Sequence, residues 1–310
     1  MATTPPLADA LSRFVFEHAA VRGALVSLDG ACGDILDCHP YPPALQRSLA
    51  ELLAATSLLA STLKFKGALI VQLQSDGPVR LLVVECDAAL TLRATAQWNH
   101  TAAALPAATT LAELAGGPQH GRLAITLDPK DGGPLYQGIV ALEAHSIATL
   151  IEHYLRTSEQ IDSRMTIATE GSRVRGLLLQ RLPGATAADD ETWLRAAAIV
   201  DALPALTLLA RGGAPELLQR CFPDDDIRLF AARAARFGCS CSEERVANAL
   251  RLIGRVEVDS ILAEQGLIGI TCEFCNKQYT FVAEDARALF AADRGAASAS
   301  RRTPQGPVRH

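Results

Sequence analysis

The sequence predicts an α+β fold: an antiparallel-sheet core domain with packed helices, then a helical linker and a small C-terminal domain built around cysteines. Three observations carry this expectation. Apolar segments joined by tight turns read as hairpins, first ALIVQLQ, SDGP and VRLLVVEC, then GRLAITLD, PKDGG and LYQGIVAL. The segment PPALQRSLAELLAATSLLASTLKFKG opens with prolines and closes with Lys64, Lys66 and Gly67, which mark the start and stop of one long, mostly buried helix. Near the end, four cysteines fall into two tight pairs, CSC and CEFC. Hairpins with inserted helices exclude a doubly wound parallel sheet.

Taken in order, PLADALSRFVFEHAA places Leu7, Leu11, Phe14, Val15 and His18 near one helical face and predicts a helix, after which RGALVSLD is extended. The long helix and first hairpin are followed by a strand at LTLRATAQ and the second hairpin. A helix near SIATLIEHYLRTSEQ and strands at RMTIAT and RGLLLQRL complete a core domain over 1–182. Composition shifts at LPGATAADDETW, a turn-rich acidic connection. The stretch 183–238 is rich in alanine and leucine and helical in propensity through DDDIRLFAARAARFG, but Pro204, Gly212, Gly213, Pro215 and Pro223 break it. Its helices are therefore short, and short helices are marginal in water without a surface to pack on, so this is a metastable helical linker. The cysteine pairs define a domain over 239–290, and 291–310 reads as a disordered tail.

With 310 residues, 49% hydrophobic and 20% charged, the chain has enough material for more than one domain. A net charge of −5 offers no basic excess to neutralise phosphates, which argues against nucleic acid as a partner. MATTPPLADALSRF lacks the basic and apolar regions of a secretory signal, and LLAATSLLASTL is too short and hydroxyl-rich to span a bilayer. The expectation is a cytoplasmic chain with no membrane partner. No Walker loop, nucleophile elbow or dinucleotide-binding glycine motif occurs, so neither a nucleotide nor an enzymatic activity is expected. The clusters ADDE and PDDD flank predicted helices, where acidic residues favour the N-terminal end.

Cys239, Cys241, Cys272 and Cys275 are the strongest chemical signal. In a reducing cytosol, close pairs are more often metal ligands or reactive thiols than structural disulfides, and four thiolates close a tetrahedral shell around zinc. The probable strand LIGIT leads into CEFC, Asn276 suits the left-handed position after it, and QYTFV returns. Between the pairs, Ser242 is a helix cap followed by Glu243 and Glu244, and EVDSILAEQG is a second short helix ending at Gly266. A domain of about 50 residues buries too little apolar surface for secure stability alone. The residues alone leave open whether the site is permanently closed or a switch. Cys32, Cys38, Cys86 and Cys221 read as buried or incidental thiols, and His145 and His153 as non-ligands sharing a helix face.

Together these residues resemble the bacterial 33 kDa chaperonin family, redox-regulated heat-shock holdases. The likeness rests on CSC and CEFC, EVDSILAEQG (Glu257 to Gly266), LAELLAATSLLASTLKF (Leu49 to Phe65), QSDGP, YQG (Tyr136 to Gly138) and RTSEQ (Arg156 to Gln160). The resemblance implies a core, a metastable linker and a C-terminal zinc switch, with one Zn2+ held by Cys239, Cys241, Cys272 and Cys275 when reduced and the chaperone off. It further implies that oxidation forms Cys239 to Cys241 and Cys272 to Cys275 disulfides, releases zinc, unfolds switch and linker, and favours homodimers that hold unfolding client proteins without ATP. Two other classes compete: a thiol-disulfide oxidoreductase using CEFC, and a constitutive zinc-stabilised interaction module. The first lacks the thioredoxin-like setting, in which the redox pair opens a helix.

Overall fold

The computed structural model describes residues 9–117, 120–143 and 146–290. It divides into two compact units, Met1–Gly238 and Cys239–His310. The first opens with strands β1 (Ala10–Phe16) and β2 (Val21–Leu28), helix α1 (Gly30–Leu36) and the long helix α2 (Pro43–Thr62). Strands β3 (Ala68–Ser75), β4 (Val79–Asp87) and β5 (Thr91–Trp98) follow, then the single turns α3 (His100–Ala103) and α4 (Leu111–Leu114). Strands β6 (Gly121–Asp128) and β7 (Tyr136–Ala141), helix α5 (Ile147–Thr157), and strands β8 (Ser163–Glu170) and β9 (Arg173–Arg181) come next. The unit closes with helices α6 (Ala187–Asp201), α7 (Ala205–Leu208) and α8 (Ala214–Cys221) and the short strands β10 (Ile227–Leu229), β11 (Arg233–Ala234) and β12 (Arg236–Phe237). The second unit comprises α9 (Glu243–Ile253), α10 (Arg255–Gln265), the hairpin β13 (Ile268–Thr271) and β14 (Gln278–Phe281), and a helical stretch over 283–290.

Two sheets organise the first unit, in the orders β10-β1-β2-β9-β8, with β11 also on β1, and β12-β5-β4-β3-β6-β7. Every pairing is antiparallel except the parallel contact of β12 with β5. The α+β class and both hairpins thus stand as expected. The long helix does too: α2 buries Leu45, Leu49, Leu52, Leu53, Leu58 and Leu59 completely. Its buried hydroxyls are satisfied within the helix, Thr56 donating to the Leu52 carbonyl at 2.7 Å and Ser57 to that of Leu53 at 2.8 Å.

Residues 10–16 correct the helix expected there. They form β1, paired with β2 from Ala10↔Ser27 to Val15↔Arg22. A strand sends alternate side chains to opposite faces, and here both faces are covered. Leu11 joins the core around α2, whereas Phe14 and Phe16 join a second core. The helical spacing counted apolar residues that belong to two different layers. Leu7 lies outside the described residues.

The sheet containing β1, β2 and β9 is therefore apolar on both sides. Ala24, Val26, Leu28, Val174 and Leu178 pack towards α2, while Val21, Leu25, Leu177 and Leu179 face the second core. That second face is covered by Trp193, Ala196, Ala197 and Val200 of α6, Leu208 of α7, and Leu217, Leu218 and Cys221 of α8. Thr186 caps α6 in a capping box with Asp189, whose carboxylate also accepts the Ala20 N–H at 2.7 Å. The ADDE cluster is a cap with a long-range anchor.

The stretch 227–237 also departs from its helical reading. It runs as β10, β11 and β12, with Phe14↔Leu229 and Phe16↔Ile227 in register on β1. Ladder bonds to an otherwise open strand edge outweigh alanine's helix preference. The PDDD cluster consequently precedes a strand; its Asp225 receives both Nη atoms of Arg195, at 2.8 and 2.6 Å. Among the described residues no helix is long and apolar enough to cross a membrane.

Candidate metal centre

In the second unit, β13 and β14 pair from Ile268↔Phe281 to Thr271↔Gln278, and their turn carries CEFC. The Cys272 N–H donates to the Lys277 carbonyl at 2.9 Å and the Asn276 N–H to the Cys272 carbonyl at 2.8 Å, curling the turn. Asn276 has φ 58°, the left-handed conformation expected of it. Opposite, CSC ends at Ser242, whose side chain caps α9 by accepting the Arg245 N–H at 3.2 Å. Arg245 also donates to the Ser240 hydroxyl at 2.7 Å, tying the first pair to the same turn of helix. α10 ends at Gly266 with φ 77°, where a side chain would be strained. Ala247, Leu250, Val258, Ile268, Tyr279, Phe281 and Ala286 form the unit's whole buried apolar core among the described residues.

These elements bring together all four cysteines read from the sequence. The Sγ atoms of Cys239, Cys241, Cys272 and Cys275 all lie within 4.8 Å of one another, and each side chain is half-buried. Contacts between the pairs include Cys239 to Cys272 at 3.7 Å and Cys241 to Cys275 at 3.4 Å. A tetrahedron with metal–sulfur bonds of about 2.3 Å has sulfur–sulfur edges of about 3.8 Å. All four thiols are unbridged, so the set fits a closed tetrahedral shell for a thiophilic ion. Among the described residues it is the one cluster of three or more potential metal-ligating side chains.

A fifth residue touches the sulfurs. The Tyr279 hydroxyl donates to Cys241 Sγ at 3.1 Å, and Lys277 Nζ sits 5.1 Å from the centroid of the Tyr279 ring. Burial works against ionisation of Cys241, yet the Tyr279 hydroxyl and the neighbouring thiols bring its pKa down to about 7. Burial pushes Cys239 and Cys275 up. Sequence reasoning missed Tyr279. Its alternation with Phe281 in QYTFV marks an inward position, but nothing in that pattern places a sulfur beside the hydroxyl.

The remaining candidates stay apart from this cluster. Cys32 and Cys86 are fully buried, and burial raises both thiols to about 12. Cys221 is buried on α8 and likewise raised, while Cys38 donates to the Asp34 carbonyl at 3.2 Å. His153 contacts Arg156 at 3.3 Å on α5, and His145 lies outside the described residues. Cys272 and Cys275 occupy a hairpin turn rather than a helix N-terminus, the usual seat of an oxidoreductase pair.

Comparison with known proteins agrees across nearly the full length. The family model for the Hsp33 protein matches residues 9–282. A 33 kDa chaperonin of Methylobacillus flagellatus is 44% identical over 286 residues, covering 92% of this chain and 95% of its own. One from Chromobacterium violaceum is 41% identical over 291 residues, covering 94% and 96%. The crystal structure of the 33 kDa chaperonin of Thermotoga maritima superposes with a TM-score of 0.78 at 20% identity, covering 93% of this chain and 99% of that one, which establishes the shared fold. On its sequence, its α+β architecture and its converging cysteines, the chain belongs to the Hsp33 family, whose relatives named here are chaperonins.

Proposed function

We propose that the chain is a redox-regulated, ATP-independent holdase that binds unfolding proteins under oxidative stress in the cytoplasm. Family membership supports the chaperone activity. The observation that carries the redox control is the convergence of four thiols from both ends of a small unit. In the reduced state Cys239, Cys241, Cys272 and Cys275 hold one Zn2+, which supplies on the order of 10 kcal/mol of folding free energy. The unit's own core, a handful of residues around Leu250 and Phe281, is too small to replace that contribution.

Oxidation joins Cys239 to Cys241 and Cys272 to Cys275. Each step turns two thiolates into one S–S bond, and hydrogen peroxide takes up the two electrons, with two protons from solvent, as it is reduced to two waters. This pairing rests on the family resemblance alone, since all four sulfurs lie within 4.8 Å of one another. With the thiolates consumed, these residues would no longer hold an ion, 239–290 would unfold, and the short helices of the linker 183–238 would be left marginal. Release of α6 to α8 uncovers Phe14, Phe16, Leu25, Leu177 and Leu179 together with the helices' own apolar faces. Such a surface binds the apolar segments of unfolding chains and favours a homodimer. Nothing in this cycle uses a nucleotide, nucleic acid, membrane or catalytic turnover.

Light scattering of a heat-unfolded client, followed alongside zinc release, tests this function. The expected result is suppression of aggregation only by the oxidised chain, with one ion released per chain. Equal suppression in both states with zinc retained contradicts the switch, and turnover in an insulin-reduction assay favours an oxidoreductase.

A further inference from the structure

A cavity of about 330 Å³ opens beside the strands β1, β2 and β9, lined by Arg13, Arg22, Ser61, Thr62, Gln180 and Phe230 among others. It lies wholly within the first unit and shares no residue with the cysteine site. Its charge is one-sided. Arg13 forms no ion pair among the described residues and only lies over the Phe230 ring, 5.8 Å from its centroid. Arg22 uses its Nε to donate to the Gln180 side-chain oxygen at 2.9 Å, leaving the rest of its fork without a protein acceptor among the described residues. No carboxylate lines the cavity. Glu17, just past the end of β1, is engaged by Arg228 at 3.1 Å.

Gln180 is 1% exposed and fixed at both ends, since its amide also donates to Ser163 at 3.3 Å. Arg22 is therefore held in place by a buried, oriented acceptor. Burial, and after it the charge of Arg13, lowers the pKa of Arg22, so the two guanidinium groups oppose one another without a counter-charge. Arg22 is half-buried beside the exposed Arg13, and an anion set between the two would offset their mutual repulsion. Guanidinium forks match phosphate oxygens in geometry, and two positive charges favour a doubly charged group over a single carboxylate. Phe14, Leu178 and Phe230 supply apolar walls, which an inorganic ion alone would leave unused.

We propose that this cavity is a binding site for a phosphate-monoester dianion carrying an apolar body, with Arg13 and Arg22 gripping the phosphate and Phe230 covering the body. Titration calorimetry on the reduced full chain tests it, with phenyl phosphate, inorganic phosphate and benzoate as probes. Phenyl phosphate is expected to saturate one site per chain and to weaken as salt is raised. Inorganic phosphate should bind the same site less tightly, and benzoate less tightly than phenyl phosphate. Equal affinity for the two phosphates still supports the site but makes free phosphate its occupant. Arg13→Gln, an exposed position that leaves the fold intact, should cost at least about tenfold, roughly one charge-assisted hydrogen bond. Arg22→Lys should cost a similar factor, because it keeps the charge but loses the fork. Phe230→Leu should weaken phenyl phosphate alone. Absence of saturable binding by either phosphate, or binding unchanged in Arg13→Gln, overturns the proposal. Benzoate matching phenyl phosphate overturns the dianion assignment.

Discussion

At the scale of single residues, the cysteine site depends on more than its four sulfurs. Tyr279 donates to Cys241 at 3.1 Å, and partners of this kind orient a ligand and modulate its basicity. Tyr279→Phe keeps the ring in the small core and removes only the hydroxyl. We expect it to reduce zinc affinity by about tenfold or more, measured by competition with a chromophoric chelator. An unchanged affinity would make the hydrogen bond incidental. Cys272→Ser removes one of the four proposed ligands and should leave the purified, reduced protein without stoichiometric zinc. The convergence of the four cysteines was legible in the sequence because CSC and CEFC fix sulfur spacing locally, and so were the Ser242 cap and the left-handed Asn276. Tyr279 was not, since its contact depends on the register Ile270↔Tyr279, which brings the hydroxyl to a sulfur more than thirty residues away. The same limit hid the cavity at Arg13 and Arg22, whose walls come from β1, β2, α2, β9 and the residue after β10.

At the scale of elements, the hairpins and α2 were readable because turn chemistry and apolar spacing specify them within a short window. β1 was misread because its apolar residues serve two layers, and 227–237 because alanine-rich propensity says nothing about a vacant strand edge. Between β4 and β5, Glu85 accepts from Arg93 Nε at 3.0 Å and from Lys130 Nζ at 3.0 Å. Burial alone would raise its pKa, but these two donors take it below the usual carboxylate range. A depressed folded pKa gives stability that is present above the unfolded value and lost as pH falls through the folded one. Glu85→Gln should therefore cost about 1–2 kcal/mol at neutral pH in urea unfolding, and the difference from wild type should shrink in acid. A difference independent of pH would contradict the ion-pair account. On α6, Trp193 is 7% exposed against the sheet. Trp193→Ala should remove about 3–5 kcal/mol of packing and give the reduced protein part of the holding activity otherwise reserved for the oxidised one. Holding that still depends fully on oxidation in this variant would separate α6 from the switch.

At the scale of the whole molecule, stability is unevenly distributed. The core around α2 is large and closed, whereas the unit from Cys239 onward has a small apolar core and four converging thiols. The stretch 183–238 is intermediate: its helices are short, and they persist by covering one face of a sheet that is apolar on both. Under the proposed cycle, a change of bonding at sulfur becomes exposure of apolar surface, without moving the core that carries that surface. Amide hydrogen exchange on the reduced, zinc-loaded chain and on the peroxide-oxidised chain tests this most directly. The account predicts that oxidation abolishes protection in α9, α10 and the β13–β14 hairpin and strongly lowers it in α6 and α8, while α2 and β3 to β6 stay protected. Unchanged protection in α6 and α8 after zinc has left would contradict it.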